Sequence, residues 1–288
     1  MPASGRRKVG EWLASPGTLP RLRLYLAGPL CVEWGGRVLT ERDLPSRQAR
    51  VLLAFLVCER ARPVSRDALA EVLWPAGAPP SWETSLKALV SKLRPFTTGL
   101  APRGSPAPAI HGQYGCYQLE LPKGAWIDVE AAWAALDEAE GALRRGCPQV
   151  AWGSFNVAVA VARRGFLPGE DGGWVEERRR DLERLLVRAL DGYAEAALAI
   201  GQPTLAVEVA HEALRRDPLR EPSWRALMRG HEALGNRPEA LAAFHRLKAQ
   251  LREELGVSPS AETEALFTRI LRGNASASGA PPGTGTTR

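Results

Sequence analysis

The sequence predicts an α+β domain of short strands, three helices and a hairpin, followed by an all-α domain of paired helices that repeat with a fixed period. Three observations carry this reading: apolar residues alternate before residue 40 and again after residue 110, they recur at helical spacing between residues 47 and 94, and the last third of the chain resembles itself at a distance of 34 residues. Length agrees, because 288 residues accommodate two domains of ordinary size.

Residues 1–19 read as a disordered polar tail, and the first domain is expected over 20–125. Leu22, Leu24 and Leu26, then Leu30, Val32 and Trp34, alternate between turns at Gly28-Pro29 and Gly35-Gly36, which predicts short antiparallel strands. Ser46 is placed to cap a first helix over Arg47–Glu59, whose Val51, Leu52, Phe55 and Leu56 share one face. Ser65 caps a second helix that buries Leu69, Val72 and Leu73 and ends at Trp74-Pro75. A third, over about Trp82–Arg94, gathers Leu86, Leu89, Val90 and Leu93 into a stripe and leaves Thr84, Lys87, Ala88, Ser91 and Lys92 opposite. Ile110–Leu121 reads as a β-hairpin with turn-compatible glycines at 112 and 115. Strands, three helices and a hairpin in that order make a winged helix. A helix that enters a major groove needs one anchored face and one face of small, polar and basic groups; a solvated surface helix shows the same division.

The second domain is expected over 126–272, with a low-complexity tail at 273–288. Gly201 and Gly235 stand 34 residues apart, as do Ile200 and Leu234, Ala206 and Ala240, and Ala210 and Phe244. That is the tetratricopeptide spacing, in which small residues let two helices pack closely and successive pairs stack. About three pairs fit, and such a module holds a protein segment, associates with itself, or braces the neighbouring domain.

Composition narrows the function. With 45% hydrophobic residues, 24% charged residues and nine tryptophans the chain can bury a core. No run approaches the ~20 apolar residues of a bilayer span, since even Val150–Ala162 is interrupted by Gly153, Ser154 and Asn156. Arg6, Arg7 and Lys8 are followed by Gly10 and Glu11 with no apolar signal core, so a cytoplasmic protein off the membrane is expected. Cys31, Cys58, Cys116 and Cys147 form no CxxC pair and read as small core residues, and no two histidines have metal-ligand spacing. There is no Walker loop, HExxH or GxSxG, and Glu176-Glu177 and Glu253-Glu254 sit among arginines as solvated faces; neither enzyme chemistry, a metal nor a cofactor is implied. Charge divides unevenly. Residues 1–125 hold 17 Lys and Arg against 9 Asp and Glu, a net of +8, whereas residues 126–288 hold 21 against 23, a net of −2. A basic first domain is what a polyanion partner requires, although arginine-rich surfaces also arise without one.

Several segments resemble one family. Leu44-Pro45, Arg50-Val51-Leu52-Leu53-Ala54-Phe55-Leu56, Arg62-Pro63-Val64-Ser65-Arg66-Asp67-Ala68-Leu69, Leu73-Trp74 and Val90-Ser91-Lys92-Leu93-Arg94 resemble the antibiotic regulatory protein (SARP) family of bacterial activators. The DNA-binding domain of that family resembles the effector domain of response regulators. The rest of the chain resembles the family's bacterial transcriptional activator domain. A helix from Asp128-Val129 to about Arg144, the segment Gly165-Phe166-Leu167-Pro168-Gly169, and a long helix from Trp174 to Ala199 precede Asp217-Pro218-Leu219-Arg220-Glu221-Pro222, Gly235-Asn236-Arg237-Pro238-Glu239-Ala240-Leu241 and Leu251-Arg252-Glu253-Glu254-Leu255-Gly256-Val257-Ser258-Pro259. The match spans roughly residues 20–272.

The resemblance implies a sequence-specific activator that binds promoter DNA, often as a dimer on direct repeats, and contacts RNA polymerase. Thr84, Ser85, Lys87, Ala88, Ser91 and Lys92 become the candidates on a recognition helix, with Lys87 and Lys92 as donors to bases or phosphates and Arg94 at the margin. Arg47, Arg50 and Arg66, at the starts of helices one and two, are candidates for phosphate contacts, and His111 and Gln113 for a wing near the minor groove. The chain departs from the family at Leu89, where histidine or tyrosine is common, at Pro95, which should stop the third helix, and in a wing without arginine. These departures fit weaker or altered DNA binding, and the alternative reading is a protein-interaction scaffold with a degenerate, non-DNA-binding winged helix.

Overall fold

A computed structural model describes residues 22–99, 101 and 105–273. The tails expected at 1–19 and beyond Gly273 lie outside the described residues. The chain divides into two compact units: one runs to Ala131 and also takes in Arg164–Arg180, and the other holds Ala132–Arg163 and the chain from Asp181.

The first unit opens on a sheet of β1 (Arg23–Tyr25), β2 (Cys31–Trp34) and β3 (Arg37–Thr40), antiparallel in sequence, with β7 (Trp126–Ile127) parallel to β1 at the other edge. The alternation does what a half-buried sheet demands: Leu24, Val32 and Trp34 are buried, and Gly28, Gly35 and Gly36 turn with positive φ. Three helices follow, α1 (Arg47–Cys58), α2 (Arg66–Leu73) and α3 (Trp82–Thr98). Both serine caps form, Ser46 Oγ accepting from Ala49 N at 3.1 Å and Ser65 Oγ from Ala68 N at 3.2 Å. Val72, expected inside, is half-buried, while Leu69, Ala70 and Leu73 make the buried face of α2.

The helix α3 does not stop at Pro95 but continues to Thr98. Proline lacks the N–H that would bond Ser91 O four residues earlier, but its φ suits a helix, and the carbonyls of Arg94 and Pro95 in the last turn find donors. Thr97 and Thr98 give their hydroxyls to Arg94 O at 2.9 and 3.0 Å, and Gly99 N donates to Pro95 O at 2.9 Å. A second sheet, β4 (Val64–Ser65), β6 (Cys116–Glu120) and β5 (Ala109–Gln113) in spatial order, carries the hairpin. Gly115 lies in its turn, but Gly112 stands inside β5, because a Cβ there would meet the Tyr117 ring at 3.0 Å.

Residues 164–180 complete this unit from far along the sequence. Gly28 N donates to Gly165 O at 2.7 Å and Leu167 N to Leu26 O at 3.1 Å, which lays the segment against the end of β1. Phe166 and Leu167 are buried, and Trp174 meets the edges of Phe55 and Phe166 at centroid distances of 5.0 and 5.4 Å. Asp128, fully buried, accepts from Leu26 N, Ala27 N and Val129 N at 2.8, 3.0 and 2.8 Å, so the unit closes on its own backbone donors.

The second unit is helical: α4 (Asp128–Arg144) beyond Ala131, α5 (Pro148–Ala162), α6 (Gly173–Ala199) from Asp181, α7 (Pro203–Arg216), α8 (Glu221–Ala233), α9 (Arg237–Leu255) and α10 (Ala261–Arg272). The 34-residue period is the repeat of helix pairs. Gly201 and Gly235 turn with φ 75° and 77°, and Ala206, Ala210, Ala240 and Phe244 are buried behind them. Close approach depends on absent side chains: a Cβ on Gly230 would come within 2.6 Å of Val207, and one on Gly192 within 2.1 Å of the Phe155 ring. Ion pairs repeat along the stack, Arg188 with Glu140, Arg229 with Glu195 and Arg269 with Glu232. Among the described residues no helix is long and apolar enough to cross a membrane, and no group of three or more His, Cys, Asp or Glu could hold a metal ion.

Candidate nucleic-acid interface

Helix α3 is anchored by Leu86, Leu89, Val90 and Leu93, at 0, 8, 1 and 0% exposure. The family departure at Leu89 is thereby a core residue. On the other side Thr84, Lys87, Ala88, Ser91 and Lys92 are exposed, and Ser85 is half-buried at the edge. Among the described residues no carboxylate or carbonyl engages the ammonium of Lys87 or Lys92. Two free cations set among small side chains form a surface to which a polyanion can come close without displacing bulk.

The arginines behave differently. Arg47 and Arg50, expected at phosphates, are turned onto a carboxylate of their own unit. Arg47 Nε meets Glu170 Oε2 at 2.6 Å and its Nη2 meets Asp171 at 2.9 Å, while Arg50 Nε meets Glu170 Oε1 at 2.5 Å and its Nη1 pairs with Glu41. Glu170 and Asp171 hold the Arg47 guanidinium above its ordinary pKa, through hydrogen bonds first and charge second. Glu170 is 2% exposed, and the segment that carries it is also held by Arg179, which donates to the carbonyls of Phe166, Leu167 and Glu170 at 3.0, 2.8 and 2.7 Å. Arg60 is likewise taken, by Glu130. Among the described residues, part of the positive charge of the first domain is therefore answered inside it, whereas Lys87 and Lys92 on α3 carry no ion pair. Arg66 lies half-buried at the start of α2, where its backbone N donates to Gly115 O at 3.1 Å, beside the hairpin turn.

Arg94 has a second role that its position in the sequence did not disclose. Its Nε donates to Ile110 O at 3.1 Å, tying α3 to β5 and setting where the hairpin stands. On the hairpin His111 and Gln113 are exposed; His111 Nε2 lies 2.9 Å from Glu120 Oε2, and Gln113 abuts the turn. Tyr114 occupies that turn with φ 50° and is 93% exposed, a residue that sequence reasoning passed over. The Tyr114-Gly115 dipeptide between two alternating strands is the signal that marks it. The cysteines, expected in the core, are not fully buried: Cys31, Cys58 and Cys116 are half-buried and Cys147 is exposed; burial pushes the Cys58 thiol up to about 12.

The sequence profile of the bacterial transcriptional activator domain matches residues 127–271. The chain is 30% identical over 255 residues to the transcriptional regulatory protein EmbR of Mycobacterium tuberculosis, an alignment covering 88% of this chain and 64% of EmbR. It is 27% identical to the regulatory protein DnrI of Streptomyces peucetius, over 87% of this chain and 92% of DnrI. The solved structure of M. tuberculosis EmbR in complex with a low-affinity phosphopeptide superposes with a TM-score of 0.76 at 28% identity, over 88% of this chain and 65% of that one. The chain thus spans less than two thirds of EmbR's length.

Proposed function

The chain belongs to the family of the bacterial transcriptional activator domain and is of SARP type, and from that premise we propose that it is a sequence-specific transcription regulator, acting as an activator in the cytoplasm. In this reading the winged helix binds promoter DNA. Thr84, Ala88 and Ser91 allow the groove floor to approach, Lys87 and Lys92 donate to base edges or phosphates, Ser85 stands at the border, and Arg66 reaches the backbone beside the hairpin. The helical unit contacts RNA polymerase or a second copy of the chain. Arg47 and Arg50 leave the interface, because their charge is already answered by Glu170, and Arg94 serves as the brace between helix and hairpin.

The single observation that supports this reading is the contrast in charge on one unit: Arg47 and Arg50 at the start of α1 are neutralised internally, while the lysines of α3 stay unpaired on a face of small residues. A scaffold with a vestigial winged helix has no reason to keep that difference. The test is the salt dependence of binding to a pool of duplexes with a randomised centre. Lys87→Ala and Lys92→Ala should each weaken binding, and each lost phosphate contact should flatten the slope of log affinity against log salt by about one. Affinity and slope unchanged in both variants would move the interface away from α3.

A further inference from the structure

We propose that the hairpin engages DNA through Tyr114, as an uncharged aromatic contact in the minor groove, in place of the cation that a wing commonly offers; this rests on the DNA-binding reading above. The first ground is exposure. Tyr114 is 93% exposed, whereas the next most exposed large apolar side chain among the described residues, Leu255, reaches 59%. An aromatic ring left almost wholly in water forgoes the burial that such side chains ordinarily obtain, and nothing in its own fold uses it.

The second ground is backbone. Tyr114 and Gly115 form the two-residue connection between Gln113 and Cys116, with φ 50° and 76°. That left-handed geometry favours glycine or asparagine at both positions, so a tyrosine there is held against the local preference. A strained conformation at a solvent-exposed tip needs a reason outside the hairpin.

The third ground is presentation. The hairpin is pinned at several points: Arg94 of α3 holds Ile110 O, the Tyr117 ring lies against Gly112, and β4 pairs with β6. The tip is therefore offered on a rigid support at a position set by α3 itself. Its chemistry also selects the partner. From Ala109 to Glu120 there is no lysine or arginine, and the one carboxylate, Glu120, is met by His111. Such a hairpin gains little from phosphate charge. A phenol ring can pack against deoxyribose or wedge at a base step, and its hydroxyl can donate to adenine N3 or thymine O2, acceptors that line the minor groove of A·T pairs.

The experiment measures the full chain, as wild type, Tyr114→Asn, Tyr114→Phe and Lys87→Ala, against a duplex pool with a randomised centre at two salt concentrations, with the bound sequences read out. Asparagine suits the left-handed turn, so Tyr114→Asn keeps the hairpin folded. The expected result is about tenfold weaker binding for Tyr114→Asn with an unchanged salt slope, since no charge is lost, together with a loss of A·T preference beside the core site. Tyr114→Phe should keep the affinity and lose part of that preference. If Lys87→Ala weakens binding while Tyr114→Asn binds and selects as wild type does, the tyrosine contact is overturned and the DNA-binding reading stands. If wild type itself selects no sequence, both fall together.

Discussion

Glu170 illustrates how far a residue's role can lie from its neighbours in sequence. It is buried, it sits 123 and 120 residues from Arg47 and Arg50, and it holds both. Two arginines at the start of a helix look like phosphate ligands because that is where helix geometry and charge favour anions. Nothing local marks the carboxylate that reaches them first. Replacing Glu170 by alanine removes one of the two carboxylates that meet the Arg50 guanidinium, whose side chain is 13% exposed. The expected cost is about 2–3 kcal/mol, below the ~3–5 of a fully buried pair because Arg50 keeps Glu41 and Arg47 is open to water. Urea unfolding followed by tryptophan fluorescence measures it, and Trp174, packed on Phe55 and Phe166 in the same unit, reports on the right region. A midpoint equal to that of the wild type would mean the pairs contribute nothing net.

At the scale of elements, local rules went a long way. Caps at Ser46 and Ser65, apolar spacing along α1 and α3, and the start and end of α4 were all legible, because each rests on contacts within a turn or two of the chain. The end of α3 was not. Pro95 is a valid stop signal, but it was outweighed by the hydroxyls of Thr97 and Thr98 and the N–H of Gly99, groups whose use depends on the conformation they help to form. The 34-residue period was legible because packing two helices at close range constrains small residues in both repeats. Gly192 falls outside that period and shows the same constraint, with a Cβ position inside the fully buried Phe155 ring. Gly192→Ala should therefore destabilise the helical unit by about 1–3 kcal/mol, although alanine is the better helix former by about 1 kcal/mol. Thermal unfolding decides between the two effects, and a raised midpoint would show that Phe155 gives way without penalty.

For the whole molecule, two domain types and the asymmetry of charge could be read from sequence, whereas the return of residues 164–180 to the first unit could not, since it depends on pairing across more than a hundred residues. That return also changes what the charge means. Arg47, Arg50 and Arg60, which helped to make the first domain basic, are engaged within it, and the proposal that this protein reads DNA rests on the lysines of α3 and the hairpin beside them. The most direct test is recovery of sheared genomic fragments by the purified full-length protein, sequenced at a low and a raised salt concentration. A sequence-specific regulator should retain a small set of promoter fragments sharing a repeated motif at the higher salt, and a Lys87→Ala/Lys92→Ala variant should lose them. Diffuse recovery that disappears with salt, the same in wild type and variant, would contradict that proposal and leave the winged helix without a sequence to recognise.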